Sequence, residues 1–222
     1  MKLEYDSPVQ VAIAVPSMDD VKADFAFSLA MMVNHIHSEP IPGLQALGIL
    51  NKRTSILPDS RNLLAQQAID QGFSHILWID SDMKFQTDML AKLLRHRLPI
   101  VGINASMRAT PYKTTAQTAP NVRLATNHSS SGIEKVERMG LGVVLHEVSV
   151  LHAIKKRPWF TFEYLKGKHI HRGEDYYFGL KVQKAGYTLH IDHDVSKTVG
   201  HVGSFAHYPM RDDPNADAET VE

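Results

Sequence analysis

The sequence predicts an α/β fold, with a mostly parallel central sheet flanked by helices and a small antiparallel portion on one side. Three observations predict it. Short β-branched apolar runs alternate with helix-period segments from Val9 to Ile103. The run Ile76 to Ile79 is apolar throughout and stops at Asp80-Ser81-Asp82, as a strand covered on both faces does when its ligands gather beyond its carboxyl end. A hydrophobic content of 43% over 222 residues is enough for a substantial core.

Taken in order, Val9 to Val15 reads as the first strand, closed by Pro16-Ser17, which cannot continue a ladder. From Asp20 to His35 the apolar positions Phe25, Leu29, Met32, Val33 and Ile36 recur at helical spacing behind Asp19 and Asp20. Pro40 and Pro42 break that pattern, and Leu44 to Leu50 supplies a second strand. A polar loop, Ser55 to Ser60, leads to a helix over Arg61 to Ile69 that Asp59 or Ser60 can cap and Gly72 ends. The strand before Asp80 follows, then a helix from Thr87 to Arg97 and a strand from Pro99 to Ile103.

Beyond Asn104 the pattern weakens. Ser106 to Ser131 is polar and suits loops or antiparallel strands; Val136 to Leu145 is strand-like around Gly140 and Gly142; Glu147 to Lys156 reads as a short helix. Arg157 to His171, rich in aromatic and basic residues, suits a mobile segment over a site. Gly173-Glu174-Asp175 opens a helix that Gly186 ends, and Tyr187 to Ile191 is the last strand. We expect one domain over 1–210, with an acidic, apolar-poor tail at 211–222 expected to be disordered.

Composition narrows the function classes. Lys and Arg number 24 and Asp and Glu 24, so no global field steers the chain to nucleic acid or to an anionic membrane. The absence of cysteine removes disulfides, thiolate metal sites and a cysteine nucleophile. Met1 to Asp6 lacks the apolar core of a signal peptide, and no run approaches the roughly 18 apolar residues of a membrane span. A soluble, cytoplasmic protein is expected.

Asp80 and Asp82, two apart on an extended segment, point the same way and can share one hard cation. The same residues also suit a plain strand-end turn with a helix cap. Glu174 and Asp175 suit either acid–base work or simple stabilisation of a helix start by its dipole. Trp159, Phe160, Phe162 and Tyr164 are either a platform for a sugar or base ring or core strand positions. His169-Ile170-His171 has the form of a metal pair without a third ligand nearby. Lys155-Lys156-Arg157 reads as a solvated helix end.

The order of these features resembles the nucleotide-sugar-dependent glycosyltransferases of the GT-A fold, particularly the family 2-like group. The resemblance rests on the strand ending at Pro16, Ser60-Arg61-Asn62 at a helix head, Ile79-Asp80-Ser81-Asp82 as the DxD motif, Gly140-Leu141-Gly142, Gly173-Glu174-Asp175 opening a helix, and Gly200-His201. It spans about residues 9 to 204. It implies a donor half over about 9–104 and an acceptor half over about 105–204.

What the resemblance implies for the site is specific. Asp82 and His201 would ligate a divalent ion, with Asp80 shared between ion and donor and Ser81 on the donor side. An imidazole beside carboxylates favours Mn²⁺, with Mg²⁺ as the alternative. The ion would stabilise charge on the departing nucleoside diphosphate. Asp175 would be the base of an inverting transfer, with Glu174 as the fallback; in a retaining enzyme Asp175 would position the acceptor instead. Pro16, with Val15 and Ser17, would face the nucleoside, Arg61 a phosphate or the base, and Arg108 and Lys113 the donor. Gly140 and Gly142 would let backbone pass close to sugar or acceptor. The acceptor could be a glycan, a lipid-linked glycan, a protein side chain or a modified nucleobase.

Three rivals share parts of this pattern. A haloacid-dehalogenase-type phosphatase would use Asp80 as nucleophile, but Met83 and the prompt helix after the pair depart from that family. A nucleotidyltransferase would want a Gly-rich phosphate loop where Pro16-Ser17-Met18-Asp19 stands. A non-catalytic nucleotide-sugar-binding module would keep the pocket without the chemistry.

Overall fold

The computed structural model describes residues 8–108, 113–167 and 170–203 and the backbone of 206–207; the 211–222 tail and His169 lie outside them. In chain order the elements are β1 (Val9–Ser17), α1 (Ala23–Ser38), β2 (Leu44–Arg53), α2 (Leu57–Asp70), β3 (His75–Ile79), β4 (Met83–Lys84), α3 (Met89–Arg95) and β5 (Ile100–Gly102). There follow β6 (Gln117–Ala119), β7 (Val122–Arg123), β8 (Ile133–Val136), β9 (Val143–Glu147), α4 (Val148–Ala153), β10 (Glu163–Leu165) and β11 (Ile170–Arg172). The chain closes with α5 (Glu174–Lys184), β12 (Leu189–Asp192), α6 (His193–Ser196), β13 (Gly200–Val202) and β14 (Ala206–His207).

The main sheet has the order β2-β1-β3-β9-β5-β12-β8. β1, β2 and β3 pair in parallel, as do β5 and β12, while β9 runs antiparallel to both β3 and β5, and β8 antiparallel to β12. The sheet is therefore mostly parallel, with helices on both faces. Alternate side chains sort into two cores, as a period of two requires. Ala12, Ala14, Ile76 and Trp78 pack with Leu64, Ala65, Phe160, Phe178 and Val182, while Val11, Ile13, Leu77 and Ile79 pack with Phe25, Met32, Leu90, Leu93 and Val195. Each such fully buried aliphatic side chain contributes about 1.5–3 kcal/mol, so the sheet centre anchors the fold. Among the described residues no helix is long and apolar enough to cross a membrane.

Several expectations are corrected. β1 does not stop at Val15; it runs through Pro16 to Ser17, paired with Lys52 and Arg53 of β2. Ser17 O accepts from Thr54 N on the β2 side, so residue 16 faces the other side, where pairing with β3 has already ended at Ala14 and Trp78. A proline there forfeits no ladder bond. α2 begins at Leu57 rather than Arg61, with no side-chain cap and with Pro58 in its first turn, where its missing N–H costs nothing. The strand-like stretch around Gly140 and Gly142 is split between β8 and β9. Arg157 to His171 is not one mobile segment: Trp159 and Phe160 are 1% and 0% exposed core residues, and β10 and β11 form an antiparallel ribbon. On that ribbon Phe162 and Tyr164 remain exposed, their rings near that of His171.

Candidate active site

The site is built where β3 ends. Asp80 N donates to Gly142 O and Met83 N to Asp80 O, so Asp80-Ser81-Asp82 is a turn and not the extended segment expected from the sequence. The two carboxylates consequently diverge. Gly142 permits the approach: a Cβ there would meet Met83 Cε at 3.3 Å. Its close contact is with the Asp80 turn of the chain itself. Ser81 O accepts from Lys22 N at 2.9 Å, which ties the head of α1 to the same turn.

Asp82 faces His201 across 119 positions of sequence, with Oδ2 to Nε2 at 3.2 Å. The antiparallel pairing of β13 with β4, which sets His201 against Met83, and a bond from Val202 N to Asp82 O create this neighbourhood. His201 Nδ1 donates to Ser106 O at 2.9 Å, which orients the ring and turns Nε2 toward Asp82. Arg108 Nη1 lies 3.4 Å from the same carboxylate oxygen and is about half exposed. Burial alone would raise the Asp82 carboxyl, but the hydrogen bond and charge of His201, with the charge of Arg108, outweigh it and hold Asp82 below the usual range. Burial likewise opposes charge on His201, and its bond to Asp82 prevails, so the imidazole is raised.

Asp80 turns instead toward Arg61, with Oδ1 to Nη2 at 2.8 Å. Arg61 is 1% exposed, its guanidinium stands 5.5 Å from the Trp78 ring centroid, and its Nε lies 3.5 Å from Glu174 Oε1. Arg61, expected to meet a phosphate or the base, is buried against the protein's own carboxylates Asp80 and Glu174. Arg61 Nε and Nη1 have no hydrogen-bond partner, so the guanidinium acts largely as a fixed buried charge. Burial pushes the Asp80 carboxyl up, opposed by Arg61 and reinforced by Asp82.

Glu174 and Asp175 form the first turn of α5, next to the same guanidinium. Asp175 Oδ1 accepts from Tyr176 N at 2.6 Å, and a Cβ on Gly173 would sit 2.6 Å from that oxygen, so glycine leaves room for the carboxylate. Burial, then the Glu174 charge, raises Asp175 to about 6. Tyr176 Oη donates to Thr115 O at 2.7 Å and fastens α5 to the segment after β5.

The structure thus brings Asp82, His201 and Arg108 together, and beside them Asp80, Arg61, Glu174 and Asp175. Pro16 is buried within β1, with Asn51 Nδ2 bonding Val15 O and Ser17 Oγ around it. Lys113 O accepts from Met107 N, with no contact to the carboxylates. Among the described residues no group of three or more His, Asp or Glu side chains is placed to hold a metal ion. Sequence reasoning missed Ser106 as the partner of His201 and Glu174 as a partner of Arg61. The second had a signal, since Arg61, Leu64, Ala65 and Ala68 share one helical stripe.

No model of a known protein family matches the chain, and no curated protein matches it in sequence. Solved structures do resemble it. A197 from STIV superposes with a TM-score of 0.58 at 15% identity, over 90% of this chain and 91% of that one. The catalytic domain of Drosophila β1,4-galactosyltransferase 7, solved with xylobiose, superposes with a TM-score of 0.52 at 14% identity, over 88% of this chain and 71% of that one. At such identities the likeness carries fold alone, and with the sheet described above it is consistent with a GT-A-type, Rossmann-like α/β fold.

Proposed function

We propose that this protein is a metal-dependent, family 2-like glycosyltransferase that moves a sugar from a nucleoside-diphosphate donor to an acceptor hydroxyl with inversion. The observation that carries this reading is the meeting of Asp82 Oδ2 and His201 Nε2 at 3.2 Å, beside a second carboxylate cluster, on a sheet of glycosyltransferase type. Two cis ligands of one ion at about 2.1 Å are roughly 3.0 Å apart, so the pair fits a shared Mn²⁺ or Mg²⁺. Imidazole with carboxylate favours Mn²⁺. Asp82 and His201 would hold the ion, which when bound would supply charge stabilisation to the departing diphosphate. Arg108 adds a positive charge on that side.

Asp175 serves as the base. Its carboxyl, raised to about 6, is ionised at neutral pH yet basic enough to take an acceptor proton. Arg61 holds Asp80 and Glu174 behind it and acts as a positioning residue. A carbohydrate acceptor is favoured, because the Drosophila galactosyltransferase was solved with xylobiose and because the exposed Phe162 and Tyr164 rings precede α5.

Thermal denaturation with UDP, GDP and other nucleoside diphosphates, with and without Mn²⁺, tests the reading. At a hundredfold excess over Kd, ligand adds about 2.7 kcal/mol, or roughly 5–10 °C for a chain of this size. The Mn²⁺-dependent part of the rise should vanish in Asp82→Ala and His201→Ala. Stabilisation no greater with Mn²⁺ than without it would overturn the proposal, as would metal-dependent phosphomonoester hydrolysis lost in Asp80→Asn.

A further inference from the structure

We propose that the groove between the C-terminal ends of α4 and α5 is a binding site for a small anion carrying two or more phosphate groups. It lies at the far end of α5 from Asp175 and does not depend on the proposed transferase activity.

The groove encloses about 480 Å³, within the range of small-molecule sites. Lys155, Lys156, Lys181 and Lys184 line it, with Tyr177 and Leu180 on its α5 wall, and no acidic residue lines it. Among the described residues no ion pair holds any of the four lysines. Three of them are exposed, whereas Lys181 is 7% exposed. Its ammonium donates to Pro158 O at 2.6 Å and Trp159 O at 3.1 Å and lies 4.5 Å from the Tyr177 ring centroid. With two carbonyls and the Tyr177 ring around it, Lys181 contributes buried charge at the groove, and the exposed Lys155, Lys156 and Lys184 are the groups an anion would contact. Burial, then the charge of Lys156, lowers Lys181 to about 8, against the opposing charge of Glu163. Like charges are therefore crowded in a concave place, and a multivalent anion would relieve that crowding.

The dipole of α5 explains lysines in its last turn. It does not explain Lys155 and Lys156, which follow a different helix and reach the same groove. A concave pocket with four cations suits a compact polyanion better than the flat surface of a bilayer.

The test is calorimetric titration of the full chain with inorganic triphosphate in EDTA, which keeps divalent ions off Asp82 and His201. Saturable binding is expected, weakened about tenfold or more by the double substitution Lys156→Glu/Lys184→Glu. Binding should be unchanged by Asp82→Ala and by Lys135→Glu, an exposed reversal on β8. Circular dichroism of each variant establishes that it folds. The assignment is overturned if the double variant binds as well as the parent, if Asp82→Ala abolishes the heat, or if the chain binds phosphatidylserine vesicles with no saturable response to triphosphate. Failure here leaves the Mn²⁺-dependent nucleotide response intact, and loss of that response leaves this one intact.

Discussion

Replacing Asp175 with asparagine should make the protein more stable while removing its proposed base. The folded carboxyl is raised from an ordinary 3.8 to about 6, chiefly by burial and then by Glu174. Between those values the native state holds a proton that the unfolded state has released, so stability falls as pH rises through the window, and the full penalty stands above pH 6. The linkage relation gives about 1 kcal/mol at pH 4.5 and about 3 kcal/mol at pH 8. Residual solvent contact trims the larger figure to about 2–3 kcal/mol. Asparagine keeps an oxygen for Tyr176 N and carries no charge, so Asp175→Asn should recover that penalty. Guanidinium unfolding in EDTA, followed by the fluorescence of the buried Trp78 and Trp159, measures it. The gain should be about two to three times larger at pH 8 than at pH 4.5. A variant that is no more stable than the parent at pH 8, or whose gain does not change with pH, refutes the strained-carboxylate account. The coupling of gained stability to lost transfer marks a residue held for function.

Two further outcomes follow from the same cluster. Gly173→Ala should lower kcat for sugar transfer about a hundredfold with donor KM unchanged, because the new Cβ displaces the Asp175 carboxylate by a fraction of an ångström to an ångström; an unchanged kcat would mean that the carboxylate position does not matter. Arg61→Met should cost about 3–5 kcal/mol in denaturant unfolding at neutral pH by leaving Asp80 and Glu174 uncompensated, and a loss below 1 kcal/mol would show that the guanidinium is dispensable.

Much of the fold was legible because burial on two faces leaves a mark in sequence. Ile76 to Ile79 could only be a covered strand, and Gly173 before two acidic residues could only be a helix head. The direction of β9 was not legible, since the alternation in Val143 to Leu145 is the same whichever way a strand runs. Pro16 misled because the rule against proline in a ladder assumes a partner on both sides. At the site, the positions of Asp80 and Asp82 were readable, but their divergence was not. It depends on a turn closed by Met83 N on Asp80 O and anchored through Asp80 N to Gly142 O, sixty-two residues away in sequence. That Arg61 is buried against Asp80 and Glu174 follows from its place on the buried stripe of α2.

The pairing of β13 with the two-residue β4 has a consequence for assembly. Every strand of the seven-stranded sheet precedes Gly200, so a nascent chain can complete its scaffold before the residue that faces Asp82 has been made. Until Gly200 to Val202 docks, Asp82 lacks the imidazole of His201 that the proposed ion site requires. The proposed competence should therefore arise only after the seven-stranded sheet is in place, and a chain truncated after Val199 should be well folded and inert.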